Sequence, residues 1–103
     1  VHGNARNVLT YIQSQVDTAK ANGELTGVLA FEQRLDLYKA DFVLTLGSED
    51  ELGEAAHQLY AALRQFDGMG TQRIWAEGCS EAGIGAALMN RLVKAAGNQI
   101  VRV

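Results

Sequence analysis

Few side chains in this sequence could do chemistry, and they lie far apart. Cys79 is the one thiol, and it would act as a nucleophile only with a base beside it. The two histidines, His2 and His57, are distant from it in sequence. His57 also falls off the apolar stripe of its own helix, which reads as a surface position. Glu77 is the most informative carboxylate, because it closes an apolar run just before a glycine-rich turn. No second acid is paired with it, so it reads as a hydrogen-bonded rim residue or a domain-interface residue. No spacing of His, Cys, Asp and Glu matches a metal site.

The turn itself, Gly78 to Gly85 (GCSEAGIG), offers backbone N–H groups at a helix start, which is where anions bind. It does not complete a phosphate-binding pattern. No Lys-Ser or Lys-Thr follows the last glycine, Gly83-x-Gly85-x-x-Leu88 lacks the third glycine of the dinucleotide fingerprint, and Glu81 adds negative charge. The simpler role for Gly83 and Gly85 is to let a helix lie close on a sheet. Glu49, Asp50 and Glu51 already occupy the positive end of another helix, which makes that start a poor anion site. Trp75, inside a strand, reads as core or interface.

These residues need elements to position them. Asn4 can cap a first helix running to Asn22, with Val8, Leu9, Ile12, Val16 and Ala19 on one face. Gly23 sits where a residue just past a helix end belongs. Leu25 to Phe31 (LTGVLAF) is a short apolar run, read as a strand buried on both faces. Glu32 to Lys39 fits a turn or two of helix, and Asp41 to Leu46 (DFVLTL) is a second strand ended by Gly47. Ser48 and Glu51 have the spacing of a capping box. The helix that follows runs to Phe66, with Leu52, Ala55, Ala56, Leu59, Leu63 and Phe66 as its stripe. Arg73 to Glu77 is a third strand, Ser80 a cap for a third helix ending at Gly97, and Gln99 to Val103 a last strand.

Alternation of this kind predicts an α/β fold, a three-layer α/β/α arrangement with a mostly parallel sheet of four to five strands. One point of tension is the short link between the first two strands, since parallel crossovers usually need a dozen residues or more. Val1-His2-Gly3 looks like the tail of a further strand contributed from outside this sequence. In open α/β sheets ligands gather beyond the carboxyl ends of the strands. That rim gathers Gly47, Ser48, Glu77, Gly78 and Ser80, with Gly83 and Gly85 in the adjoining turn, as candidate binding or domain-interface residues. No catalytic residue and no metal ligand is assigned.

The totals exclude several classes. The 103 residues make one domain, and 48% hydrophobic with 20% charged residues fits a folded globular chain. A net charge of −3 with scattered basic residues carries no nucleic-acid footprint. A single cysteine allows no internal disulfide. No apolar run is long enough to cross a membrane, and no signal peptide is visible. A cytoplasmic protein is the expectation. The chain does not start with Met, which suggests processing or excision from a longer polypeptide.

Two long blocks, ADFVLTLGSEDELGEAAHQLYAALRQFD and AEGCSEAGIGAALMNRLVKAA, resemble the C-terminal domain of long-form threonylcarbamoyl-AMP synthases. LTGVLAF and GNARNVLTYIQSQ fit the strand and helix upstream of them, so the resemblance covers nearly the whole chain. It implies a Rossmann-like accessory domain, residues 1–103, excised from a two-domain enzyme. In that enzyme a YrdC-like catalytic domain makes L-threonylcarbamoyl-AMP and pyrophosphate from ATP (with magnesium), L-threonine and bicarbonate. The product feeds threonylcarbamoyladenosine modification of tRNA. The resemblance places catalysis outside this chain and implies no cofactor within it. Its partner would be the YrdC-like domain of the same polypeptide, with tRNA met only indirectly. Implied roles are covering the active site, regulating it or mediating contacts. Family members often carry a proline in the loop matching Gly78 to Glu81, where this chain has Cys79-Ser80. Gly53 replaces a better helix former.

Two other readings stay open on the residues alone. One is a free-standing small-molecule or nucleotide-binding module using the GCSEAGIG turn. The other is an assembly domain that self-associates through an exposed sheet edge.

Overall fold

In the computed structural model, residues 1–79, 83–97 and 99–103 are described. Helix α1 (Ala5–Ala21) leads into β1 (Thr26–Ala30), a 3-10 helix (Glu32–Leu37) and β2 (Phe42–Thr45). Helix α2 (Leu52–Gly68), β3 (Arg73–Ala76) and α3 (Ile84–Ala95) follow. The three strands form one parallel sheet in the order β2-β1-β3.

Strand β1 is central and wholly buried, as an apolar run covered on both faces must be. Its alternation sorts the core into two halves. Val28 and Ala30 pack with Val8, Ile12 and Val16 of α1 on one face. Leu29 and the adjoining Phe31 pack with Leu59 and Phe66 of α2 and Leu88 and Leu92 of α3 on the other. Each helix presents its apolar residues at helical spacing: Val8, Ile12, Val16 and Ala19 in α1, and Ala55, Leu59, Ala62 and Phe66 in α2. Gly27 is required by close approach. A Cβ there would stand 2.6 Å from the ring of Phe66, which is itself fully buried.

Asn4 caps α1 as expected, its Oδ1 accepting from the Arg6 N–H at 2.9 Å. Gly23 follows the helix with φ +79°, a left-handed conformation that suits glycine. The capping box expected at Ser48 and Glu51 does not form. Helix α2 starts at Leu52, and the Ser48 hydroxyl instead accepts from the Asp50 N–H at 3.1 Å. Residues 48–51 therefore turn before the helix rather than capping it. The short link between β1 and β2 resolves as a 3-10 helix, whose rise of about 2.0 Å per residue spans more distance than α-helix would.

Beyond β3 the described residues continue the sheet as isolated rungs. The Val1 amine donates to the Ala76 carbonyl at 2.8 Å, and the Gly78 N–H donates to the Val1 carbonyl at 2.6 Å. On its other side His2 forms a parallel bridge with Arg102, through His2 N–H to Val101 O at 2.8 Å and Val103 N–H to His2 O at 2.9 Å. The last segment, read from sequence as a strand, is thus represented by this bridge. No described helix is long and apolar enough to cross a membrane.

Candidate functional site

The carboxyl ends of β1 and β3 meet at Glu77. Strand β3 ends at Ala76, so Glu77 is delivered to the rim, and its N–H still donates to Leu29 O at 2.9 Å. Its side chain turns inward and is 1% exposed. A carboxylate there must be fully hydrogen-bonded to be tolerated, and it is. Oε1 accepts from the Phe31 N–H at 2.8 Å and from Arg34 Nη2 at 3.2 Å. Oε2 accepts from Arg34 Nε at 2.9 Å and from the Tyr38 hydroxyl at 2.7 Å. Phe31 lies at the end of β1, Arg34 in the 3-10 helix and Tyr38 just after it, so one carboxylate ties β3 to the whole β1–β2 crossover.

The electrostatics agree with that geometry. Burial, and then the hydrogen bond to Glu77, push the Tyr38 phenol well above its ordinary range. The hydrogen bond to Glu77 likewise holds the Arg34 guanidinium more firmly protonated than usual. Arg34 also reaches Glu49 at 2.9 Å. Gln33 completes the stitching, donating from Nε2 to Ser48 Oγ at 2.8 Å and accepting at Oε1 from the Glu49 N–H at 3.1 Å.

The candidate residues therefore fall into separate groups. Gly47 and Ser48 join Glu77 through the 3-10 helix: Gly47 O accepts from the Glu32 N–H at 2.8 Å, and Gly47 adopts φ +86°. Gly78 faces elsewhere. A Cβ on it would meet Val1 O at 2.9 Å and His2 Nδ1 at 3.1 Å, so glycine is needed there to admit the Val1–His2 backbone. Gly83 is the N-cap residue of α3 at φ +60°, and a Cβ on it would meet nothing within 4 Å. Its conformation, and not close packing on the sheet, is what calls for glycine. Gly85 is buried in α3, and its carbonyl accepts from Cys79 Sγ at 3.5 Å. Ser80 and Glu81 lie outside the described residues. His57 is exposed, as read from its helical position. Trp75 is half-buried against the α1 face, with the Arg73 guanidinium 5.2 Å from its ring centroid.

Sequence reasoning missed Arg34, Gln33 and Tyr38. The available signal was indirect: a strand-end carboxylate facing the core needs donors, and the crossover that covers it holds Arg34 and Tyr38. Chemically, the arrangement is a closed clamp. Both Glu77 oxygens are engaged by internal donors. Among the described residues no three His, Cys, Asp or Glu side chains gather as they would around a metal ion.

Comparison with known proteins follows the same outline. The family model described as "Threonylcarbamoyl-AMP synthase, C-terminal domain" matches residues 2–97. A threonylcarbamoyl-AMP synthase of Bacillus subtilis is 40% identical over 91 residues, covering 88% of this chain and 26% of that protein. A crystal structure of the Pyrococcus abyssi Sua5 protein complexed with L-threonine superposes with a TM-score of 0.85 at 39% identity, covering 98% of this chain and 28% of that one. The C-terminal Sua5 domain from Pyrococcus horikoshii aligns with a TM-score of 0.76 at 35% identity, covering 99% of this chain and 91% of that domain. The chain thus spans about a quarter of the length of the full-length relatives it matches.

Proposed function

Because the chain belongs to the family of threonylcarbamoyl-AMP synthase C-terminal domains, we propose that it works as the accessory, non-catalytic domain of a larger synthase. The parent reaction would convert ATP, L-threonine and bicarbonate to L-threonylcarbamoyl-AMP and pyrophosphate, in the cytoplasm and in service of tRNA modification. ATP, with magnesium, would bind the YrdC-like domain of the same polypeptide, and tRNA would be met only through it.

The observation that carries this reading is the self-occupied rim. The crevice where an α/β sheet usually takes a ligand is filled here by the side chains of Glu77, Arg34 and Tyr38. What remains outside is the stitched surface of Gly47, Ser48, Gln33 and Glu49, a rigid polar face suited to docking a neighbouring domain. Gly78 and Gly85 lie apart from that face, Gly78 against Val1 and His2 and Gly85 buried in α3. The finer fold belongs to the same reading: a Rossmann-like, three-layer α/β/α domain whose sheet reaches five strands once Val1–His2 and the carboxyl-terminal segment count as members.

The test is pyrophosphate release from ATP with L-threonine and bicarbonate. The isolated chain should release none, and the parent enzyme should lose activity on Glu49→Lys, which reverses charge on the docking face. Turnover by the isolated chain would overturn the accessory role. An unchanged rate both in Glu49→Lys and in a parent lacking the domain would overturn the docking role.

A further inference from the structure

Helix α1 closes on Asn22-Gly23, and Asn22 is the one asparagine in the sequence followed by glycine. Both residues are exposed, and the Asn22 side-chain amide has no hydrogen-bond partner among the described residues. Asn4 differs, since its Oδ1 is held by the Arg6 N–H. Gly23 stands at φ +79° with nothing within 4 Å of where a Cβ would be, so the space beside it is open. What restrains the pair is the backbone. The Gly23 N–H donates to Lys20 O at 3.0 Å, and the Glu24 N–H donates to Ala19 O at 3.1 Å. These are the two bonds that close a helix on a left-handed residue.

We propose that Asn22 is a site of spontaneous deamidation, gated by the opening of this last turn. The inference is independent of the synthase assignment, and the co-reactant is water. The Gly23 nitrogen gives its proton to solvent base and attacks Asn22 Cγ. The N–Cγ bond forms, the Cγ–Nδ2 bond breaks, and ammonia leaves with a proton taken from solvent. A cyclic imide remains, and water opens it at either carbonyl to leave aspartate or isoaspartate. Closing that ring needs the Gly23 nitrogen eclipsed with Cβ about the Cα–C bond of Asn22. The turn holds Asn22 at ψ 5°, a rotation of about 120° away by the tetrahedral geometry of Cα. That rotation breaks both bonds of the turn, and glycine, having no Cβ, sets no steric bar to it. Helix ends open at small cost, so the reaction proceeds in the folded chain through brief fraying. The product then weakens what held it back. A carboxylate at residue 22 adds negative charge at the C-terminal pole of α1. Isoaspartate also inserts a methylene carbon into the backbone of the turn that leads to β1.

The test follows this chain in mildly alkaline buffer, folded and in denaturing urea, with peptide mapping for the mass gain of amide-to-acid conversion. Conversion should appear first at Asn22 in both, and roughly tenfold or more slower in the folded chain, since two hydrogen bonds must open. Two variants locate the gate. Ala21→Gly, exposed in the last turn, should speed the folded rate several-fold and leave the urea rate unchanged. Tyr38→Phe, which loosens the Glu77 clamp and not this turn, should leave the folded rate unchanged. Conversion at another asparagine first, or equal rates folded and in urea, overturns the proposal. Equal acceleration in Tyr38→Phe and Ala21→Gly overturns it too, by assigning the opening to unfolding of the whole chain. Continued absence of conversion in the folded chain, long after the unfolded chain is exhausted, overturns it as well.

Discussion

The Tyr38 hydroxyl donates to Glu77 Oε2 at 2.7 Å, across a gap of 39 residues, inside a protein interior where both side chains are almost completely buried. This contact anchors the far end of the β1–β2 crossover to the end of β3, and Arg34 anchors its middle. The two halves of the clamp should differ in cost. Tyr38→Phe removes one donor and leaves Glu77 three others, so it should destabilise the chain by about 1–2 kcal/mol. Glu77→Ala leaves the Tyr38 hydroxyl and the Phe31 N–H without their acceptor in the interior, takes the buried partner from Arg34, and should cost roughly 3–5 kcal/mol. Urea unfolding of both variants checks the ranking. Equal costs would mean that Tyr38, not the carboxylate, holds the clamp together.

The same contact sets a dependence on alkaline pH. The folded chain holds the Tyr38 phenol neutral well above the ordinary value of 10.0, chiefly because the site is buried. A raised value in the folded state means that its contribution is fully present below about pH 10 and lost as pH climbs through the folded value. The urea midpoint should therefore fall more steeply above that point in the parent chain than in Tyr38→Phe. Parallel curves for the two would contradict the assignment.

On the acid side the sensitive group is Asp41, at the opposite end of the sheet. It accepts from the Thr26 N–H at 2.8 Å and from the Thr26 hydroxyl at 3.1 Å, and the backbone bond is the main reason its carboxyl is held below its ordinary pKa. A lowered value in the folded state gives stability that is present above the ordinary 3.8 and lost as pH falls through the folded value. Asp41→Asn should be less stable than the parent at neutral pH, and the two should converge as pH falls through the folded value. A gap that persists at low pH would point to packing rather than charge.

Gly27 tests the core. A methyl group at this position would stand 2.6 Å from the Phe66 ring and 3.0 Å from the Thr71 methyl, both on the α2 side. Gly27→Ala should cost about 1–3 kcal/mol through overpacking, despite the better strand propensity of the larger residue. Phe66→Leu in the Gly27→Ala background should recover part of that loss, read as a rise in thermal midpoint. A neutral Gly27→Ala would show that α2 can shift away from the sheet.

The elements with strong local signals were legible in the sequence. Asn4 before an amphipathic run, Gly23 after it and LTGVLAF between them predict α1 and β1 to within a residue or two, because capping and burial act locally. The chemistry of residues 32–39 was not legible. The value of Arg34 and Tyr38 depends on Glu77, more than 35 residues away, and only the β2-β1-β3 order brings them together. Ser48 and Glu51 misled for a related reason. Their spacing suits a capping box, but Gln33 on the neighbouring 3-10 helix competes for the Ser48 hydroxyl. Gly78 was legible only as part of the glycine-rich turn, because the Val1–His2 backbone that a Cβ on it would meet lies at the other end of the sequence.

The short 3-10 crossover also has a kinetic consequence. Pairing β1 with β2 joins Gly27 to Phe42, 15 positions apart, whereas pairing β1 with β3 joins Thr26 to Arg73, 47 positions apart. Closing the larger loop costs about 1 kcal/mol more in chain entropy, so nucleation favours β1 with β2 and leaves β3 to dock afterwards. Glu77 arrives with β3. Its substitutions should then speed unfolding while leaving the refolding rate nearly unchanged, and a stopped-flow chevron with a slowed refolding limb in Glu77→Ala would refute that order. The clamp that looks like the centre of the finished domain would be the latch that closes behind it, governing how long the fold lasts and not how quickly it is found.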